Sequence, residues 1–224
     1  MTPLQIPDPL TLIVITTILS LAPFAAVMAT SYVKLVVVLS LIRNALGVQQ
    51  IPPNLVLNGI AVVMTVYIMA PIGQSTFEIA SKENFKDLSG PNLQMVLEKS
   101  SKPIREFLNK FTTEREKKFF LDTSRRLWAK DQKVELTGDS FFILIPAFTT
   151  SELTSAFQMG FLLYLPFIAI DLIVSNILLA MGMMMVSPMT ISLPFKLLLF
   201  VLIDGWARLI HGLVLTYAIP GPGP

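Results

Sequence analysis

The chain has 224 residues, 53% of them hydrophobic and only 14% charged, with a mean hydropathy of +0.67 and a formal net charge of +2. A soluble domain carries about 25% charged residues, so this composition excludes an ordinary soluble globule. Cysteine is absent and histidine occurs once, which excludes disulfides, thiolate chemistry and the common zinc sites.

The charges are gathered in one place. Of the 17 Lys and Arg, 13 lie between Lys82 and Lys133, and 10 of the 15 acids lie between Glu83 and Asp139. Regions 1–81 and 140–224 share the other nine charged side chains. This is the pattern of a membrane chain with one polar insert. Basic and acidic residues alternate without a basic, aromatic-lined stripe, so nucleic acid is not an expected partner.

In chain order, Pro9 to Val33 carries no charge and is long enough to cross a hydrocarbon core as a helix. Pro23 should kink it, and the helix should continue past Lys34 to Arg43 or Asn44. Met1 to Leu10 has no Lys or Arg, so the segment is expected to be retained rather than cleaved, although Ala26–Ala29 faintly resembles a cleavage site. Gly47 and the pair Pro52-Pro53 mark a turn, after which Asn54 is expected to cap an apolar helix over 55–79, weakened late by Pro71 and Gly73. In the insert, Leu93, Val96, Leu97, Ile104, Phe107, Leu108, Phe111, Phe119, Phe120, Leu121, Leu127 and Trp128 recur at helical spacing and predict two or three amphipathic helices, with Pro103 near a start. A second apolar half opens at Phe141. Pro146 is expected to break it, and a long helix should follow from Phe157 to Met185. After a Met-rich turn, Pro188 to Ala218 reads as the last helix.

These elements predict an all-α fold of long, kinked apolar hairpins with a helical polar insert, packed in a ring-like, multi-subunit, membrane-associated assembly. Its parts are an N-terminal hairpin over 1–80, the insert over 81–139, a C-terminal hairpin over 140–219 and a disordered tail over 220–224. Hydropathy predicts four spans.

Two features call for explanation. Lys34, Arg43, Glu152, Asp171, Lys196, Asp204, Arg208 and His211 fall inside apolar segments, and a charge facing lipid costs at least ~2.5–3.5 kcal/mol. Each should therefore face protein or water. Internal ion pairs, an ion or proton relay, and contacts between subunits all remain open. Asp204 and Arg208 have the spacing of an intrahelical pair, and Lys196 and His211 lie near one stripe. The second feature is Met181, Met183, Met184 and Met185 around Gly182. Methionine is flexible and apolar, which suits either a gap filler between helices or a deformable seal. No phosphate loop, zinc-binding His pair or nucleophile elbow is present, so neither an enzyme nor a bound cofactor or metal is expected.

Several strings read together: Phe24–Lys34, Leu41–Asn54, Leu144–Phe148 with Ser151, Glu152, Leu153, Ala156 and Phe157, then Phe161–Asp171, Leu179–Pro188 and Asp204-Gly205-Trp206. They closely resemble the R component of the bacterial type III secretion export apparatus, related to the flagellar export protein FliP, and more the virulence-type branch. The most specific are Arg43–Gly47 and Met181–Pro188, and the insert matches only in position and length. The resemblance implies a homopentamer joined to S and T components in an inner-membrane gate that projects towards the periplasm and passes unfolded protein substrates. It further implies that Met183, Met184 and Met185, with Met181 behind them, form a gasket. By the positive-inside tendency the insert's 13 Lys and Arg would be cytoplasmic, whereas the family places it in the periplasm. The rival reading is a secondary transporter subunit for a small ion or metabolite, with Asp171, Asp204 and Arg208 as its midplane site.

Overall fold

One helix runs unbroken from Phe141 to Ala180, about 60 Å at 1.5 Å per residue, and the other elements pack along it. The computed structural model describes residues 9–48, 50–82, 96, 98–127 and 137–218, and no strand occurs among them. The helices are α1 (Pro9–Met28), α2 (Tyr32–Ala45), α3 (Asn54–Lys82), α4 (Lys102–Phe111), α5 (Glu114–Leu127), α6 (Phe141–Ala180), α7 (Pro188–Leu202) and α8 (Gly205–Ala218). The expected helical positions Leu93, Leu97 and Trp128 and the tail 220–224 lie outside the described residues.

The long helix α6 corrects the expected break at Pro146. Pro146 and Pro166 both sit inside it. Proline removes one backbone donor and crowds the preceding turn, yet α2, α4 and α5 pack against α6 and hold it in line. The polar residues after Pro146 are absorbed into the same helix. Thr149, Thr150 and Ser151 donate their hydroxyls to the carbonyls of Ile145, Pro146 and Ala147 at 2.8–2.9 Å. The buried stripe of α6 runs Leu144, Phe148, Glu152, Ala156, Gly160, Phe167, Val174, Leu178, a helical repeat masked in the sequence because the exposed faces are equally apolar.

Three other boundaries differ from expectation. The first apolar helix is divided after Met28, with Pro23 inside its first part, instead of running on to Arg43 or Asn44. At the break, the Thr30 hydroxyl donates to the Ala26 carbonyl at 2.7 Å and accepts from the Tyr32 N–H at 3.4 Å, the local competition with the helix ladder that such residues offer. Asn54 does not cap α3. The Pro53 carbonyl accepts the first bonds, from Val56 and Leu57, and the Asn54 side chain turns to Arg43. The last helix is two, since α7 ends at Leu202 and α8 begins at Gly205 after a 60° bend. Asp204 takes a left-handed conformation there, with φ +52°, and that turn stops α7.

Two clusters form the core. Leu35, Val38, Leu39 and Ile42 of α2 meet Leu57 and Ala61 of α3, Ala156 and Phe167 of α6, Phe200 of α7 and Leu209 of α8. In the second, Phe107, Leu108 and Phe111 of α4 pack on Leu144 and Phe148 of α6 and Tyr217 of α8. At Gly160 a Cβ would lie 2.3 Å from a Leu41 methyl, so only glycine permits α2 and α6 to approach this closely. By length and composition α3 and α6 can each cross a bilayer, and the bent pair α7–α8 qualifies as a third, broken span.

Candidate functional site

The α6–α7 hairpin ends in the methionine turn. Gly182, with φ +71°, sits just past the C-cap Met181. The Met183 N–H donates to the Leu178 carbonyl at 2.9 Å and the Gly182 N–H to the Leu179 carbonyl at 3.0 Å. This is the paired bonding of a Schellman ending, which needs a left-handed residue where Gly182 stands. Pro188 then opens α7, lacking only a donor that the first turn cannot use. The consequence is a turn with a fixed backbone and free side chains. Met181, Met183, Met184 and Met185 are all exposed, Met184 at 82% and Met185 at 99%. Met184 and Met185 fill no gap within the protomer.

Beneath the turn, α2, α6 and α7 are joined through Lys196. Its Nζ lies 2.6 Å from Asp171 Oδ2 and donates to the Ala45 carbonyl at 3.2 Å, at the end of α2. The Ser192 hydroxyl donates to Asp171 Oδ1 at 2.5 Å. Lys196 is 3% exposed and Asp171 37%. A cation bonded to the last carbonyls of a helix also meets the negative end of its dipole. Lys196 therefore does not share a stripe with His211, because the bend between α7 and α8 separates them.

Further along α6 is a second and deeper pair. Lys34 Nζ lies 2.7 Å from Glu152 Oε1, with the two side chains 4% and 2% exposed. The Tyr217 hydroxyl donates to Glu152 Oε2, and Lys34 Nζ sits 4.4 Å from the Tyr217 ring centroid and 5.9 Å from that of Phe111. The cluster thus ties α2, α6 and α8 together against the aromatic wall of α4. Next to it the Ser151 hydroxyl accepts the Thr113 N–H at 3.1 Å, which fixes the start of α5.

The remaining expected residues do different things. Arg43 closes the α2–α3 turn, donating to Asn54 Oδ1 and to the Pro52 carbonyl. Asp204 and Arg208 are exposed, and no ion pair joins them. This corrects the expected intrahelical pair. Asp204 lies before α8, and its carbonyl accepts the Arg208 N–H at 3.0 Å. Asp171, Asp204 and Arg208 are therefore not assembled into one site. No group of three His, Asp or Glu side chains able to hold a metal occurs among the described residues.

An apolar groove of about 380 Å³ runs along the hairpin below the methionine turn, lined by Ile170, Ile173, Val174, Ile177, Ile191 and Phe195 among others. Sequence reasoning marked Lys34, Glu152, Asp171 and Lys196 but not their pairing. It missed Tyr217, Phe111 and Ser192, whose roles depend on contacts between segments far apart in the chain. Tyr217 alone gave a signal, as a lone phenol in the final apolar stretch.

At the end of the insert, Asp139 precedes α6 and accepts from Lys117 Nζ and from Asn109, both at 3.1 Å. The Lys117 hydrogen bond, then that of Asn109, holds its carboxyl below the ordinary value of 3.8.

The FliP family model matches residues 15–213. The chain is 54% identical over 214 residues to the Yop proteins translocation protein R of Yersinia pestis, covering 96% of this chain and 99% of that one. It is 51% identical over 209 residues to the hypersensitivity response secretion protein HrcR of Ralstonia nicotianae, covering 92% and 96%. With the virulence protein YscR of Salmonella typhimurium it shares 48% identity over 220 residues, covering 96% and 100%.

Proposed function

The chain belongs to the FliP family, and from that membership we propose that it is the pore-forming R subunit of a type III secretion export gate, closed by a methionine gasket. The protein is a component of a type III secretion apparatus, a structural part of protein transport and virulence machinery and not an enzyme. Its apolar helices are consistent with the bacterial inner membrane.

In this reading five copies join the S and T components, project towards the periplasm and pass unfolded proteins through an axial channel. The insert, 81–139, lies on the periplasmic side. Met183, Met184 and Met185 of each copy meet on the axis, with Met181 behind them. The observation that carries the reading is the methionine turn, a hydrogen-bonded hairpin end whose flexible, apolar side chains are exposed, Met184 and Met185 almost wholly so. Such a surface excludes water and ions yet yields to a polypeptide.

Replacing Met183, Met184 and Met185 with Ala tests it. The side chains shorten without new charge, and the fixed backbone keeps its Schellman bonds. The expected result is a normal amount of assembled complex with raised ion conductance across the inner membrane. Normal complex without added conductance refutes the gasket. Reduced complex without leak shows that the methionines are packing residues, which lose stability when cavities open.

A further inference from the structure

Arg43, Lys34, Glu152, Asp171 and Lys196 all have polar partners inside the protomer. Among the described residues Asp204, Arg208 and His211 find none, and of these Asp204 and Arg208 are the oppositely charged two. Both are exposed, and neither has a side-chain hydrogen bond or ion pair among the described residues. Their surroundings are apolar. Arg208 stands at a groove of about 300 Å³ between α6 and α8, lined by Met159, Leu162, Leu163, Leu209 and Leu213 among others. Gly212 is exposed on the same side of α8, and a Cβ built there meets nothing within 4 Å. Nothing within the protomer requires glycine in this helix, where it is less stable than alanine.

We propose that this face of α8 is covered by a second copy of the chain, with Arg208 of one copy paired to Asp204 of the next. Charge complementarity selects the occupant. The protomer leaves one carboxylate, Asp204 at the α7–α8 turn, and one guanidinium, Arg208 at the groove, without partners, and a repeated head-to-tail contact that sets the turn of one copy against the groove of the next neutralises both with no third group. A contact of that kind closes into a ring when its rotation permits. Leu162, Leu163 and Leu209 of the groove bury apolar surface around the pair, and Gly212 allows the facing backbone to come close. The inference rests on the ring-forming reading above and names the charged contact that sets the register between neighbours.

The absence of cysteine makes the test direct. Asp204→Cys and Arg208→Cys variants, differently tagged, are co-expressed in cells carrying the complete apparatus and oxidised. The expected product is a disulfide-linked dimer carrying both tags, formed by neither variant alone. A second measurement uses Asp204→Asn, Arg208→Gln and the double variant. Asparagine tolerates the left-handed backbone at 204, so folding is kept. Each single change strands one charge and should lower assembled complex about tenfold, whereas the double variant should return to within about threefold of wild type. If the wild type forms a ring but no mixed dimer appears and the two losses simply add, the pair is wrong and the export-gate reading stands. If the wild-type chain forms no homo-oligomer, both fall.

Discussion

At the scale of single residues, Glu152 carries the most stringent constraint. It is almost wholly buried, and its two oxygens take Lys34 and Tyr217. A buried pair is expensive to desolvate, so it adds little net stability, but removing one partner leaves the other charge stranded. Glu152→Ala should therefore destabilise the protomer by about 3–5 kcal/mol, whereas Lys34→Met with Glu152→Leu should recover most of that loss. Denaturant titration of the detergent-solubilised protein checks both, and equal damage from single and double variants would show a need for the carboxylate itself. Asp139 has the opposite character, exposed and acting at a joint. Its folded-state value is depressed, so its contribution is fully present above the unfolded value of 3.8 and is lost as pH falls through the depressed folded one. Asp139→Asn should accordingly lower stability across the neutral region, flatten the acid limb of a stability–pH profile and converge with the wild type at low pH.

Among the elements, the turn and the long helix teach different lessons. The Met turn was legible because Gly182 and Pro188 are local signals with local causes. Gly182→Ala should cost roughly 1–2 kcal/mol through the left-handed backbone, with Gly182→Asn costing less; thermal unfolding of the two variants ranks them, and equal loss would refute the backbone cause. The unbroken α6 was not legible. Pro146 and the run Thr149–Ser151 look like punctuation, and only the neighbouring α2, α4 and α5 show why the helix continues. The split between α7 and α8 was hidden for a related reason. Asp204 reads as half of a helical pair until its positive φ is seen. Lys34, Glu152 and Lys196 are buried, whereas Asp204, Arg208 and His211 are exposed in the protomer, and no partner was legible, because pairing is fixed by packing.

For the molecule as a whole, α4 ties the insert to the protomer core, where Phe107, Leu108 and Phe111 are used up against α6 and α8. Phe111 also walls the Lys34 site. Phe107→Ala should cost about 3–5 kcal/mol as a core truncation and expose Lys102–Leu127 to protease even in the isolated protomer. Unchanged protection there would mean that α4 is held by other copies instead.

The Lys34–Glu152–Tyr217 cluster also dictates an order of events during biosynthesis. Its cation lies in the first part of the chain to be made, its carboxylate far downstream and its phenol near the end. At roughly 5–20 residues per second, Glu152 follows Lys34 out of the ribosome by roughly 6–24 seconds. Throughout that interval α2 holds an ammonium without its counter-ion, able only to reach towards headgroups or water. The N-terminal hairpin therefore becomes settled only when the second half of its own chain arrives, and a nascent chain stopped before Glu152 keeps an unpaired ammonium on α2.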